Sequence, residues 1–293
     1  VACVQPSIPQ TMIWDAAEST NRFAQLLALS REALEQKPDL LLWPEAALPP
    51  LDREGFAMLT NLVHDYGVPL LFGADDSAPR PGGGGMDYFN SALLLDGQAR
   101  VEGNYRKRKL VMFGEFVPWS RWLPFLRFLT PIEGGFTPGK EPAEFTLANP
   151  RVRLCPLICF EDIFPGVVRR SLTPDTDLLV NLTNNGWFGE GAAQWQHAAT
   201  AIFRAVENGL PLVRSANNGL TCWVDAHGRI RAHFTDARGT IYGPGVFLAE
   251  IPLPAPAERE VSFYRRHGDW FAWLCVGLAV LGRTPLLWRR REG

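Results

Sequence analysis

Through its first hundred residues the chain alternates short apolar runs with longer amphipathic ones. Residues 1–5 read as a strand, and residues 16–36 place Phe23, Leu26, Leu27, Ala33 and Leu34 at helical spacing before Pro38 closes the segment. Residues 40–43 form a short, wholly apolar strand. A second helix follows over 54–66, then a strand over 68–73, a Pro-Gly surface loop over 79–85 and a strand over 88–95, where Asp96-Gly97 marks a hairpin turn.

Beyond Pro118 the alternation breaks into a loop rich in large apolar residues. Strands resume at 151–158 and 178–182, a helix at 193–208, and strands at 212–215, 221–225, 229–234 and 245–251. Apolar strands alternating with amphipathic helices predict a mixed α/β domain with helices on its outer faces. No composition break divides residues 1–260.

Composition changes this picture little. The 293 residues are 46% hydrophobic and 20% charged, enough for a substantial core and unlike a disordered chain. The net charge of −2 lacks the basic excess of a nucleic-acid-binding protein, so no nucleic-acid partner is expected. Five irregularly spaced cysteines match neither a disulfide framework nor a zinc site, which leaves room for a reactive thiol. The chain opens within a strand-like run and without an initiator Met, which reads as a fragment or a processed product.

Three reactive groups stand at or near the ends of apolar runs, where α/β folds build their sites. Leu-Leu-Leu-Trp-Pro-Glu ends at Glu45, Tyr-Arg-Lys-Arg-Lys contains Lys107, and Leu-Cys-Pro-Leu-Ile-Cys-Phe-Glu-Asp contains Cys159. Singly, each has a bland reading: a solvated carboxylate, a basic face, a buried structural thiol. Cys155, inside its strand, fits the inert reading better than Cys159 does. Together the three supply a base for a thiol, a cation for a developing oxyanion and the nucleophile itself.

In this order, the three motifs resemble those of the nitrilase superfamily of carbon–nitrogen hydrolases. The resemblance implies a four-layer αββα sandwich and a Glu–Lys–Cys triad of Glu45, Lys107 and Cys159. VQPSIPQTMIWD, KLVMFGEFVPW, NLTNNGWFG, RSANNGLT and YRRHGDWF look like one branch, the apolipoprotein N-acyltransferases. That branch implies Glu115 as a second acid beside Lys107, with Glu161 and Trp14 also functional. Phe160 stands where Tyr is expected, so any role of that hydroxyl is absent here. The implied reaction transfers an acyl chain from a phospholipid to a diacylglyceryl-modified apolipoprotein through a Cys159 thioester, without metal or organic cofactor. The alternatives are an amidase using the same triad with water, or an inactive lipid-binding module.

Two segments suggest a membrane. Residues 270–282 are an uncharged run that, extended to Trp288, predicts a transmembrane helix, with Arg289, Arg290 and Arg291 favouring a cytoplasmic end. The expected organisation is a catalytic domain over 1–262 and a helix with basic tail over 263–293, the family's preceding membrane domain being absent. This sets the chain at a bacterial inner membrane, its catalytic domain on the periplasmic side. The loop 116–136 carries Trp119, Trp122, Phe125 and Phe128 and reads as a lid that touches lipid, with a loop folded onto the core as the alternative.

Overall fold

The computed structural model describes residues 1–13, 15–119, 122, 125, 135–254 and 261–289, with backbone alone over 283–289. In chain order the elements are β1 (Ala2–Gln5), α1 (Gln10–Ile13), α2 (Ser19–Leu34), β2 (Leu41–Leu42), α3 (Arg53–Tyr66), β3 (Leu70–Pro79), β4 (Met86–Leu95) and β5 (Val101–Arg106). The second half contributes β6 (Phe145–Ala148), β7 (Arg151–Ile158), α4 (Pro165–Ser171), β8 (Leu178–Thr183), α5 (Ala192–Asn208), β9 (Leu212–Ala216), β10 (Cys222–Val224), β11 (Ile230–His233), β12 (Gly245–Leu248), α6 (Phe263–His267) and α7 (Trp270–Arg289).

Two six-stranded sheets run β12-β1-β2-β3-β4-β5 and β11-β10-β9-β8-β7-β6. Each has a parallel centre, β1-β2-β3 in one and β7-β8-β9 in the other, flanked by antiparallel strands. Three apolar clusters follow from this layering. Leu42, Leu71, Ala92, Tyr105, Leu154, Ile158 and Leu182 fill the space between the sheets. On one outer face Leu26, Leu27, Leu59 and Leu62 pack α2 and α3 onto Trp43, Leu70 and Phe72. On the other, Val168, Ala198, Ala201 and Ala205 pack α4 and α5 onto Leu157, Leu179 and Leu212. Two-sided burial explains why the central strands read as continuous apolar runs rather than alternating ones.

Local chemistry sets the helix ends. Asp52 caps α3 by accepting from Gly55 N at 2.8 Å, and Gly67 ends it in the left-handed region at φ 66°. The helix expected over 16–36 begins instead with a 3₁₀ turn at Ala16–Glu18, and the α-helix proper starts at Ser19. Strand β3 runs on to Pro79, well beyond the Gly73 expected as its end. Elements without a sequence signal strong enough to read include β6, four residues alternating buried and exposed, and the seven-residue α4.

The C-terminal segment is where a membrane-spanning helix is expected. The segment is helical as α7, but among the described residues no helix is long and apolar enough to cross a membrane. Its uncharged stretch rises only about 20 Å before Arg283, against roughly 30 Å of hydrocarbon. What α7 does present is apolar surface, with Trp273 72% and Leu281 66% exposed. Ahead of it, α6 is tied to the sandwich, Ser262 Oγ donating to Glu207 O and Arg265 Nη2 to Thr173 O.

Candidate active site

Strands β2 and β3 run in one direction, and two antiparallel steps return β5 to it. Glu45 after β2 and Lys107 after β5 therefore emerge at one end of the first sheet, and Cys159 ends β7 of the second. Each residue is held by a specific backbone device. Glu45 passes so close over Gly73 that a Cβ there would lie 2.6 Å from Glu45 Cα and from Pro44 O. Lys107 donates its N–H to Asn90 O at 2.8 Å, which extends the β4–β5 ladder by one residue. Cys159 takes φ +49°, a left-handed conformation that a non-glycine residue rarely adopts, and so turns sharply out of β7 into the 3₁₀ turn Cys159–Ile163.

The side chains converge. Lys107 Nζ lies 2.9 Å from Glu45 Oε1 and 2.7 Å from Glu115 Oε1. Asn90 Nδ2 donates to the same two oxygens, at 2.8 and 2.9 Å, so a lysine and an amide bridge the two acids side by side. The second oxygen of Glu45 accepts from Asn184 N at 2.9 Å, just beyond β8. Glu115 Oε2 accepts from Val111 N at 2.8 Å and closes a tight loop after the lysine. Glu45, Lys107 and Cys159 are all buried.

This packing sets the charges. Burial opposes ionisation of Glu45, but the Lys107 charge and hydrogen bonds from Lys107, Asn90 and Cys159 outweigh it and hold the carboxyl below the usual range. Lys107 loses solvation too, and the charges of Glu45, Cys159 and Glu115 nonetheless raise it above an ordinary lysine. Burial first, then the Glu45 charge, push the Cys159 thiol up to about 12, so at rest it is a thiol beside a carboxylate rather than a thiolate.

Glu161 is also placed, though outside the triad's contacts. It accepts from Tyr105 Oη at 2.8 Å, Arg108 N at 2.7 Å, Lys109 N at 3.2 Å and Ile158 N at 2.9 Å. It thereby clamps the backbone just after Lys107 to the backbone just before Cys159. Asp162 anchors the Cys159 turn from behind, accepting from Arg214 Nη1 at 2.8 Å, His197 Nε2 at 3.0 Å and Asn181 Nδ2 at 2.6 Å. Asn181 Nδ2 also reaches the Cys159 carbonyl, at 3.2 Å. Phe160 packs edge-on against Phe164, ring centres 5.7 Å apart.

Of the expected lid residues, Trp119, Trp122 and Phe125 are 68%, 82% and 59% exposed, so they are not folded onto the core. Trp14 and Phe128 lie outside the described residues. Sequence reasoning missed Asn90, Asn181 and Asp162. It also assigned no role to Asn184, although Asn184 sits in the quoted NLTNNGWFG segment.

A two-sheet α/β sandwich with a buried carboxylate–lysine pair beside a strand-end cysteine defines a nitrilase-type thiol site. The family model described as carbon-nitrogen hydrolase matches residues 1–253, and the chain belongs to that family. Among curated relatives, the apolipoprotein N-acyltransferase of Geobacter metallireducens is 38% identical over all of this chain and 54% of its own length. That of Brucella melitensis is 34% identical over the same shares. The chain thus spans about half the length of these relatives. Among solved structures, an amidase from Nesterenkonia sp. superposes with TM-score 0.59 at 18% identity, covering 86% of this chain and 90% of that one.

Proposed function

We propose that this chain carries the acyl-transfer chemistry of an apolipoprotein N-acyltransferase. A fatty acyl group moves from a membrane phospholipid to the N-terminal amine of a diacylglyceryl-modified cysteine. The observation that carries the reading is the pairing of Lys107 with both Glu45 and Glu115 beside a protonated Cys159. Glu45 takes the thiol proton as Cys159 attacks the ester carbonyl. The lysine ammonium stabilises the oxyanion, together with nearby backbone N–H groups. Collapse of the intermediate breaks the C–O bond, Glu45 returns the proton to the departing lysophospholipid oxygen, and a thioester remains on Cys159. Attack by the acceptor amine then gives an amide, which is more stable than the thioester.

A donor embedded in a bilayer fits the exposed Trp119, Trp122 and Phe125 beyond Glu115 and the exposed apolar face of α7. We therefore place the chain against a bacterial inner membrane, resting on its surface through these side chains. The periplasmic side belongs to the same proposal, and residues 290–293 of the arginine-rich tail lie outside the described ones.

Intact-mass measurement after incubation with phosphatidylethanolamine in detergent micelles tests the reading. An adduct of one acyl chain, absent in Cys159→Ala and discharged by an amine acceptor as amide, is expected. Rapid release of free fatty acid or of ammonia from simple amides, with no transfer to the amine, would replace it with a hydrolase.

A further inference from the structure

Asp75 lies in β3 directly across from Asn90 in β4. Cross-strand partners share a face, so the two side chains stand together on the side that carries Leu71, Ala92 and Tyr105 into the space between the sheets. Asn90 is in turn beside Lys107. Asp75, Asn90 and Lys107 thus make one row across the sheet, with Asp75 at its exposed end.

The neighbouring residue makes a telling contrast. Asp76 points to the opposite face, where it accepts from Arg106 Nε at 2.7 Å and Asn104 Nδ2 at 3.0 Å. No hydrogen bond or ion pair among the described residues engages the Asp75 carboxylate. Desolvation, then the charges of Glu45 and Glu115, raise it to about 6. Asp75 thus adds a third carboxylate near enough to Glu45 and Glu115 to feel their charges. No described residue pairs with that added charge. A cation entering the site would.

Resting on the acyl-transfer reading, we propose that Asp75 receives the protonated amine of the acyl acceptor and orients it toward the Cys159 thioester. An α-ammonium is largely protonated near neutral pH. For reaction it must lose two protons as the C–N bond forms and the C–S bond breaks. One ends on the Cys159 sulfur by way of Glu45, and the other leaves to water through Asp75. Ammonium, thioester and enzyme become amide, free thiol and one released proton, so charge balances.

The test separates the half-reactions in wild type and Asp75→Asn. Formation of the Cys159 acyl adduct from phosphatidylethanolamine micelles is measured first in both, as the baseline for the second half-reaction. With a short synthetic peptide beginning in S-diacylglyceryl cysteine as acceptor, KM in the variant should rise about tenfold or more, the loss expected for a charge-assisted hydrogen bond. Hydroxylamine, uncharged at neutral pH, should discharge the adduct equally fast from both proteins, and Asp75→Glu should recover part of the peptide KM. An unchanged peptide KM overturns the inference. So does a parallel fall with hydroxylamine, which would mean that Asp75 shapes the site rather than binds charge. No adduct on wild-type Cys159 would instead sink the acyl-transfer reading, and this inference with it.

Discussion

Lys107 stands 2.7 Å from Glu115, nearer than the 2.9 Å that separates it from Glu45. Glu115 therefore shares the lysine on equal terms, and its other oxygen ties down Val111 N at the start of the loop. Glu115→Gln keeps the shape and removes the charge. Acyl-adduct formation should fall by about two orders of magnitude, as for loss of one donor or charge partner in a preorganised site, while circular dichroism stays unchanged. A rate within twofold of wild type would make Glu115 a bystander.

Lys107→Met leaves two buried carboxylates without their cation. Breaking a buried pair costs about 3–5 kcal/mol, and the sign of its pH dependence is diagnostic. In the wild type Glu45 is held below its unfolded value. Its contribution is therefore present above that value, roughly 4.3, and lost as pH falls through the folded pKa. In the variant Glu45 should shift upward, so stability should be highest at low pH and decline as pH rises past the unfolded carboxylate range. Urea midpoints at several pH values would read this reversal, and a deficit independent of pH would contradict it.

Glu45→Gln removes the charge that, after burial, does most to keep the Cys159 proton in place. The thiol pKa should drop below about 12, and iodoacetamide should alkylate Cys159 faster at pH 8 than in the wild type. Acyl transfer should meanwhile be lost, because no base remains. Peptide mapping distinguishes Cys159 from the exposed Cys275. Slower alkylation in the variant would mean that Glu45 already activates the thiol at rest.

Gly73→Ala would drive a Cβ to 2.6 Å from two backbone atoms, Glu45 Cα and Pro44 O, neither of which can swing aside. Thermal unfolding should report a loss of about 1–3 kcal/mol, and adduct formation should fall at least tenfold as Glu45 shifts, about 1.4 kcal/mol in barrier. Wild-type activity would show that the β2 end tolerates displacement.

Much of this site was legible because Glu45 and Cys159 follow apolar strands and Lys107 stands in a basic cluster. Glu45, Lys107 and Cys159 each carry a local motif, and their buried convergence follows from the expected layering. Asn90 and Asp75 carry none. They sit inside strands, where only the β3–β4 register shows that they join the lysine's row. Asp162 follows the nucleophile in plain view, yet its partners His197 and Arg214 arrive from 35 and 52 residues away. The C-terminal segment shows the converse. Hydropathy reads a membrane span there, whereas the described residues show an exposed apolar helix and no helix long and apolar enough to cross a membrane.

By itself the sequence determined most elements, their apolar faces and three candidate reacting groups, because periodicity and strand-end chemistry are local properties of a chain. Only the tertiary structure decided which acids share the lysine, which asparagines hold them and which carboxylate is left facing solvent. Those depend on strand register and on distances between segments far apart in sequence, and no local pattern encodes them.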